Sequence, residues 1–388
     1  MIFYPELEET KVSSNKKIMC VVGARPNFMK IAPLMTQFNK QECGIEAVLV
    51  HTGQHYDEAM KKSFFDQLGI PEPNVDLGVG SGSHAVQTAD IMKRFEPEVD
   101  KHNPAAVLVV GDVNSTIACG LVAAKKNIPV IHVEAGLRSG DRTMPEEVNR
   151  ILTDQISDLL YTTEREAEDN LAREGISGDK IEFVGNVMID TLRNNLANAT
   201  AAREIFAKNG GGEKFTGQSG SYAILTMHRP ANVDNEDVLR SLLETMIEVS
   251  KTIPIVFPVH PRTASKIELF KLESMLDNDA ILRIPPAGYL EMLGLMKDAK
   301  VVLTDSGGIQ EETTALGIPC ITLRESTERP ITATDGTNTI VGSDHDLIMN
   351  TFKAVMEGRG KAGRIPEYWD GKTAERIAEH LDKWLETL

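Results

Sequence analysis

The chain lacks a Cys-x-x-Cys pair. Its four cysteines, Cys20, Cys43, Cys119 and Cys320, stand far apart, and three lie in apolar surroundings. That excludes a disulfide framework and a cysteine zinc site, and it fits a reducing cytoplasm. No apolar run reaches the ~18 residues that a membrane span requires. Residues 1–16 have no apolar centre of the kind a signal peptide carries, and they read as a loose extension. Basic residues are in deficit: 41 Lys and Arg stand against 57 Asp and Glu, a net charge of −16. Non-specific binding to nucleic acid or to an anionic membrane is therefore not expected, and an anionic ligand would need a local basic pocket. Internal repeats and low-complexity segments are absent too, as are a P-loop, an HExxH pair and a GxSxG elbow. Gly78-Val79-Gly80-Ser81-Gly82-Ser83 lacks the third glycine spacing of a dinucleotide loop and follows no clear strand. His51 and His55 flank a Gly53-Gln54 turn, which a loop role explains as well as metal binding does. The expected reaction uses no metal and no cofactor.

What is present is a rhythm. The 388 residues, 41% of them hydrophobic, are too many for one ordinary core and suit two domains. Ile18–Val22, Ala47–Val50, Ala106–Val110, Val130–Val133 and Ile181–Val184 read as buried strands. Helical patterns such as His84–Lys101 and Asn114–Lys126 alternate with them. A polar helical stretch, Asp190–Ala207, leads to Gly210-Gly211-Gly212. A second series then runs through Tyr222–Thr226, Ile255–Phe257, Ile281–Ile284, Val301–Thr304 and Cys320–Leu323. Alternation of this kind signals βαβ units and parallel sheets. The expected fold is α/β, with two Rossmann-like doubly wound domains and a deep cleft between them. The expected boundaries are 17–195 and 196–370, with a closing segment at 371–388. A ligand belongs at the carboxyl ends of the strands.

Polar clusters sit just after strands. Val301–Thr304 runs into Asp305-Ser306-Gly307-Gly308, where Ser306 is placed to cap a helix and the glycines leave its N–H groups open to a phosphate. Glu311 and Glu312 follow one turn later, within reach of a ribose hydroxyl. Arg25, Lys30, His228, Arg229, His260 and Arg262 supply basic groups from three other strand ends. One cation at ~4 Å from a phosphate contributes on the order of 4 kcal/mol at an effective dielectric near 20, before desolvation. Asp112, Glu134 and Glu146 are three carboxylates expected near the same cleft, and their crowding is expected to raise some of their pKa values. Glu147 reads as structural or paired with Arg150.

Seven collinear segments resemble the non-hydrolysing UDP-N-acetylglucosamine 2-epimerases. They are Gly23-Ala24-Arg25-Pro26 with Lys30, Gly111-Asp112, His132–Arg138, Pro145–Arg150, His228-Arg229, Asp305–Glu312 and Thr327-Glu328-Arg329-Pro330. The resemblance implies the two-domain fold shared with GT-B glycosyltransferases, a last helix that crosses back onto the first domain, and a homodimer. It also implies a UDP-sugar substrate and a role in surface-glycan synthesis. The implied chemistry inverts C2 of UDP-GlcNAc, giving UDP-ManNAc by loss and re-addition of UDP through 2-acetamidoglucal. Carried over by motif, Asp112, Glu134 and Glu146 are the acid–base candidates, and His228 assists the departing diphosphate. Arg25, Ser306 and Gly307 hold phosphates, Glu312 holds the ribose, and Lys30 and Arg150 match family residues tied to activity. Gly308, Arg229 and His260 belong to the substrate pocket on the strand-end reading. Gln54-His55-Tyr56-Asp57 departs from the bacterial pattern, with tyrosine where those members usually have arginine in a segment of an allosteric UDP-GlcNAc site. The run His51–Tyr56 also resembles a branch acting on UDP-2,3-diacetamido-glucuronate. A GT-B glycosyltransferase and a non-catalytic UDP-sugar sensor are the alternatives from other classes.

Overall fold

The computed structural model describes residues 16–40, 43–53 and 64–388, with Arg25 described along the backbone only. Two all-parallel sheets organise the chain. The first has seven strands: β1 (Lys17–Val22), β2 (Glu46–His51), β3 (Val75–Asp76), β4 (Ala106–Val110), β5 (Val130–Ala135), β6 (Leu159–Thr162) and β7 (Ile181–Phe183). Their order across the sheet is β3-β2-β1-β4-β5-β6-β7. The second has six: β8 (Ala223–Thr226), β9 (Ile255–Pro258), β10 (Ile281–Ile284), β11 (Val301–Thr304), β12 (Cys320–Thr322) and β13 (Asn338–Ile340), in the order β10-β9-β8-β11-β12-β13. Both sheets reverse direction of strand order at one place, between β1 and β4 and between β8 and β11. The crevice outside the carboxyl ends of such a pair is where an open α/β sheet binds its ligand.

The strands are buried on both faces, as the near-continuous Val, Ile and Leu runs require. β3, β6 and β13 have no counterpart in the strands read from sequence, and β3 places a short strand two residues before Gly78. The polar stretch after Val187 is not one helix. Val187–Asn195 and Ala202–Lys208 are separate helices joined by a short 3-10 turn, and Thr200 donates its N–H to the carbonyl of Leu290 instead.

The two sheets are not independent bodies. One apolar cluster runs from β1 and β4 through Val187 and Leu192 to Tyr289 and Leu293 of the second half. The last helix, Thr373–Leu385, joins the same cluster through Ala374, Ile377, Leu381 and Leu385, packing against the helix Arg25–Phe38. Burial of each large aliphatic side chain there contributes on the order of 1.5–3 kcal/mol before ordering costs. Asp190 fixes the start of that helix, accepting the N–H groups of Thr373 and Ala374. Among the described residues no helix is long and apolar enough to cross a membrane.

Candidate active site

The first sheet delivers its functional side chains at the turns after β1, β4 and β5. After β1 the chain passes through Gly23 into the helix Arg25–Phe38, which opens with proline in its first turn. Lys30, one turn on, is buried and donates to Glu134 Oε1 at 2.7 Å. After β4 comes Gly111, at φ +66°, where a side chain would lie 2.7 Å from the Lys30 ammonium. The next residue, Asp112, forms an ion pair with Arg150 at 2.7 Å. Arg150 also pairs with Glu147 on its own helix, Pro145–Ile156, and Glu147 accepts the N–H groups of Ser139 and Gly140.

Glu134 occupies a distorted position. It has φ +74°, and the register between β5 and β6 shifts between Val133 and Ala135. Left-handed backbone at a residue with a Cβ costs about 1–3 kcal/mol and collects at functional sites. A bulge of this kind re-aims a side chain. Here it presents the carboxylate to two cations at once. Oε1 accepts from Lys30 and from Arg329 Nη2, each at 2.7 Å. Its second oxygen is buried with no hydrogen-bond partner among the described residues. Arg329 comes from the second half of the chain, after β12, and its Nε lies 2.8 Å from Glu311. Asn186 donates to the same Glu311 oxygen. The charges therefore form one buried chain across the two halves.

This chain of charges sets the protonation. Burial alone would push Asp112 up, but Arg150, Lys30 and Arg329 outweigh it and hold the carboxyl down at about 2. Glu134 is likewise below its ordinary value: burial is outweighed by Lys30 and Arg329. Crowding is expected to raise some of the three carboxylates, but these two are lowered, because cations rather than carboxylates are their nearest neighbours. The raised groups lie elsewhere. Burial pushes Glu164 up to about 7 and Glu312 up to about 8.

The second sheet contributes a cavity of about 390 Å³ bordered by His228, His260, Ser306, Gly308 and Glu312, with Ile309, Tyr289 and Met292 as apolar walls. Asp305, at the end of β11, accepts the N–H groups of His228 and Arg229 and lies 3.0 Å from His228 Nδ1. Burial works against its ionisation, yet His228 and those N–H groups hold it below its ordinary value. The His228 ring leans on that of His260 at 5.2 Å. Ser306 stands at the N-cap of the helix Gly307–Leu316, but its side chain makes no capping hydrogen bond, so the capping expected of it is corrected. Gly307 has a different constraint: a side chain there would come within 2.5 Å of Glu328 Oε1. The buried Glu312 carboxyl and the Tyr289 hydroxyl face one another, and the hydroxyl works against the upward push of burial on the carboxyl.

The helix Arg25–Phe38 joins the two centres, since Pro26 and Met29 border the cavity while Lys30 lies in the charge cluster. The structure thus gathers Lys30, Asp112, Glu134 and Arg150 in one group, and His228, His260, Ser306, Gly308 and Glu312 in the other. Glu146 is half-buried in the first turn of its helix, and its carboxylate is in neither of the two groups. Arg229 lies 3.7 Å from Glu328. Arg262 pairs with Asp234 and does not border the cavity, which corrects its place in the basic pocket. The Arg25 side chain and the segment Gln54–Asp57 lie outside the described residues. Asp305 and Arg329 stand in the sequence motifs with no role, and Glu311, expected beside Glu312 near a ribose hydroxyl, is corrected: it meets Arg329 and Asn186 and does not border the cavity.

The family model described as UDP-N-acetylglucosamine 2-epimerase matches residues 37–382. The chain belongs to that family. The UDP-N-acetylglucosamine 2-epimerase of Methanococcus maripaludis is 40% identical over 364 residues, which covers 90% of this chain and 96% of the relative. The crystal structure of the Methanocaldococcus jannaschii UDP-GlcNAc 2-epimerase in complex with UDP-GlcNAc and UDP superposes with a TM-score of 0.84 at 39% identity, covering 95% of this chain and 99% of that one. A third family member, the UDP-2,3-diacetamido-2,3-dideoxy-D-glucuronate 2-epimerase of Pseudomonas aeruginosa, is 39% identical over 372 residues, covering 95% of this chain and 99% of the relative. The two parallel sheets seen here are the α/β, GT-B-like architecture of these structures.

Proposed function

We propose that the protein interconverts UDP-GlcNAc and UDP-ManNAc by eliminating UDP and adding it back. In the forward direction a carboxylate takes the C2 proton, the C1–O bond breaks with its electron pair leaving on UDP, and 2-acetamidoglucal forms. Return of a proton to the other face of C2 and attack of a UDP oxygen on C1 complete the inversion. The observation that carries the reading is the pair of ionised carboxylates, Asp112 and Glu134, on the ends of adjacent strands, clamped by Lys30, Arg150 and Arg329. Ionised groups at neutral pH accept protons, and the neighbouring cations stabilise negative charge that develops on the leaving diphosphate. Lys30 and Arg329 join that cluster from the two halves of the chain. Closure around the sugar keeps water from the glycal.

In this reading uracil and ribose fill the cavity walled by Ile309 and Met292, and the ribose hydroxyls donate to the Glu312 carboxyl beside Tyr289. That contact favours the ionised form, so UDP binding should expel the proton that burial keeps on Glu312. At pH 7, below its value of about 8, close to one proton is expected to leave per UDP bound, and affinity is expected to rise with pH up to about 8. Titration calorimetry in two buffers of different ionisation enthalpy measures the release. Equal heats in both buffers, or the same release from Glu312→Gln, would rule the contact out.

Incubation with UDP-GlcNAc in deuterated buffer tests the reaction, and both epimers are expected to carry deuterium at C2 by NMR. Unlabelled epimers would contradict elimination, and a stoichiometric yield of free UDP would point to a transferase. The similarity to the Pseudomonas aeruginosa protein supports a second reading, the same chemistry on UDP-2,3-diacetamido-glucuronate. Rates on the two UDP-sugars side by side separate these.

A further inference from the structure

His132 sits in the middle of β5 and is fully buried. Its ring nitrogens both meet acceptors. Nδ1 lies 2.6 Å from Asp154 Oδ1, and Nε2 lies 2.8 Å from the carbonyl oxygen of Gly111. A neutral imidazole has one donor and one acceptor nitrogen, and a carbonyl oxygen has no proton to give. Asp154 is also committed as an acceptor. Its other oxygen takes the N–H of Gly136 at 3.1 Å and lies 2.7 Å from Arg138. With Asp154 a carboxylate against Arg138, every contact of the ring is satisfied when both nitrogens carry protons. Asp154 is the charged group that touches the ring, with Arg138 behind it. The flanking strands place Val109 and Leu160 opposite His132 in the sheet.

The two atoms gripped in this way belong to the turns that present the candidate acid–base groups. Gly111 is held twice, since its N–H donates to the Val133 carbonyl and its own carbonyl accepts from His132. Asp112 follows directly, and Asn149, from the same helix as Asp154, donates to its carbonyl. Gly136, held by Asp154, closes the turn that begins at the bulged Glu134.

We propose that His132 works as a buried imidazolium, a positioning residue that ties the Gly111–Asp112 turn to the Glu134–Gly136 turn and so fixes the separation of the two carboxylates across the sugar. The role rests on the epimerase reading, whereas the charge state of the ring does not. Paired with Asp154 and Arg138, the ring keeps its charge without exposure to water, and loss of one partner would leave a buried charge unmatched.

Two experiments test it. In full-length protein labelled with ¹⁵N-histidine, at pH 7.5, both ring nitrogens of His132 are expected to carry protons. The far-downfield proton of the short bond to Asp154 marks the residue. A nitrogen bearing a lone pair at either position overturns the assignment, whether or not any variant folds. In kinetics, His132→Asn keeps a group near Asp154 but loses the donor to Gly111. His132→Gln places its amide nitrogen near the lost Nε2. The asparagine variant is expected to lose on the order of 10–10² in kcat with KM for UDP-GlcNAc within about twofold, and the glutamine variant is expected to recover part of it. Equal losses in the two variants, or a fall in UDP affinity that matches the fall in kcat, would refute the positioning role. A wild type without C2 exchange would sink the epimerase reading and leave the NMR result standing.

Discussion

Asp112→Asn is expected to lower kcat by on the order of 10²–10⁴-fold while UDP binds as in the wild type. Asparagine keeps an oxygen for Arg150, and Arg150 keeps its second partner Glu147, so the fold has little reason to change. What is lost is the charge that accepts a proton. The nucleotide cavity is bordered by other residues, so the effect belongs in turnover and not in UDP affinity. The held-down carboxyl adds a second condition. With its value at about 2, Asp112 contributes no acid limb to the pH–rate profile above pH 4. Rates across pH 4–9 and calorimetry with UDP check both points. Full activity in the variant, or an equal loss of UDP binding, would remove Asp112 from the chemistry.

Arg329→Leu is expected to have the largest effect on stability. The guanidinium is buried among Glu311, Glu134, Glu328 and Glu164, whose charges hold its own pKa well above the ordinary value despite burial. Removing one partner of a buried ion network costs about 3–5 kcal/mol, because the other charges remain without compensation. The pH dependence has a definite sign. Glu134 is held low in the wild type, so its contribution is present above its unfolded value and is lost as pH falls. Without Arg329 the surrounding carboxyls shift upward. An acid whose folded value is raised costs stability above its unfolded value, and that cost is relieved as pH falls toward it. The deficit should therefore be larger at pH 8 than at pH 5.5. Urea midpoints at the two pH values measure it, and a pH-independent deficit under about 1 kcal/mol would contradict the network's role.

The sequence made the strand-end turns legible because parallel strands buried on both faces are short unbroken apolar runs. Ala106–Val110 and Val130–Val133 stand out between polar turns. β6 does not, because Leu159-Leu160-Tyr161 follows a helix that ends only three residues earlier and merges with its apolar pattern. β3 is two residues long and β13 three, too short for a period to declare itself. The site divides along the same line. Carboxylates and cations could be counted at strand ends, but their pairing could not. Arg150 meets Asp112 across 38 positions and Arg329 meets Glu134 across 195, and those pairings decide which acids stay ionised. Glu311 and Glu312 show the limit most plainly. Adjacent residues on a helix point about 100° apart, so one meets Asn186 and Arg329 while the other borders the cavity. The sequence Glu-Glu carries no sign of which is which.

The last helix has a consequence for how the protein is made. The surface of Arg25–Phe38 that Ile377, Leu381 and Leu385 cover belongs to the first domain, yet its cover comes after the whole of the second sheet in the chain. The first half is therefore not covered until the second has been synthesised, and a truncated product that stops after β13 exposes a greasy flank on an otherwise finished half.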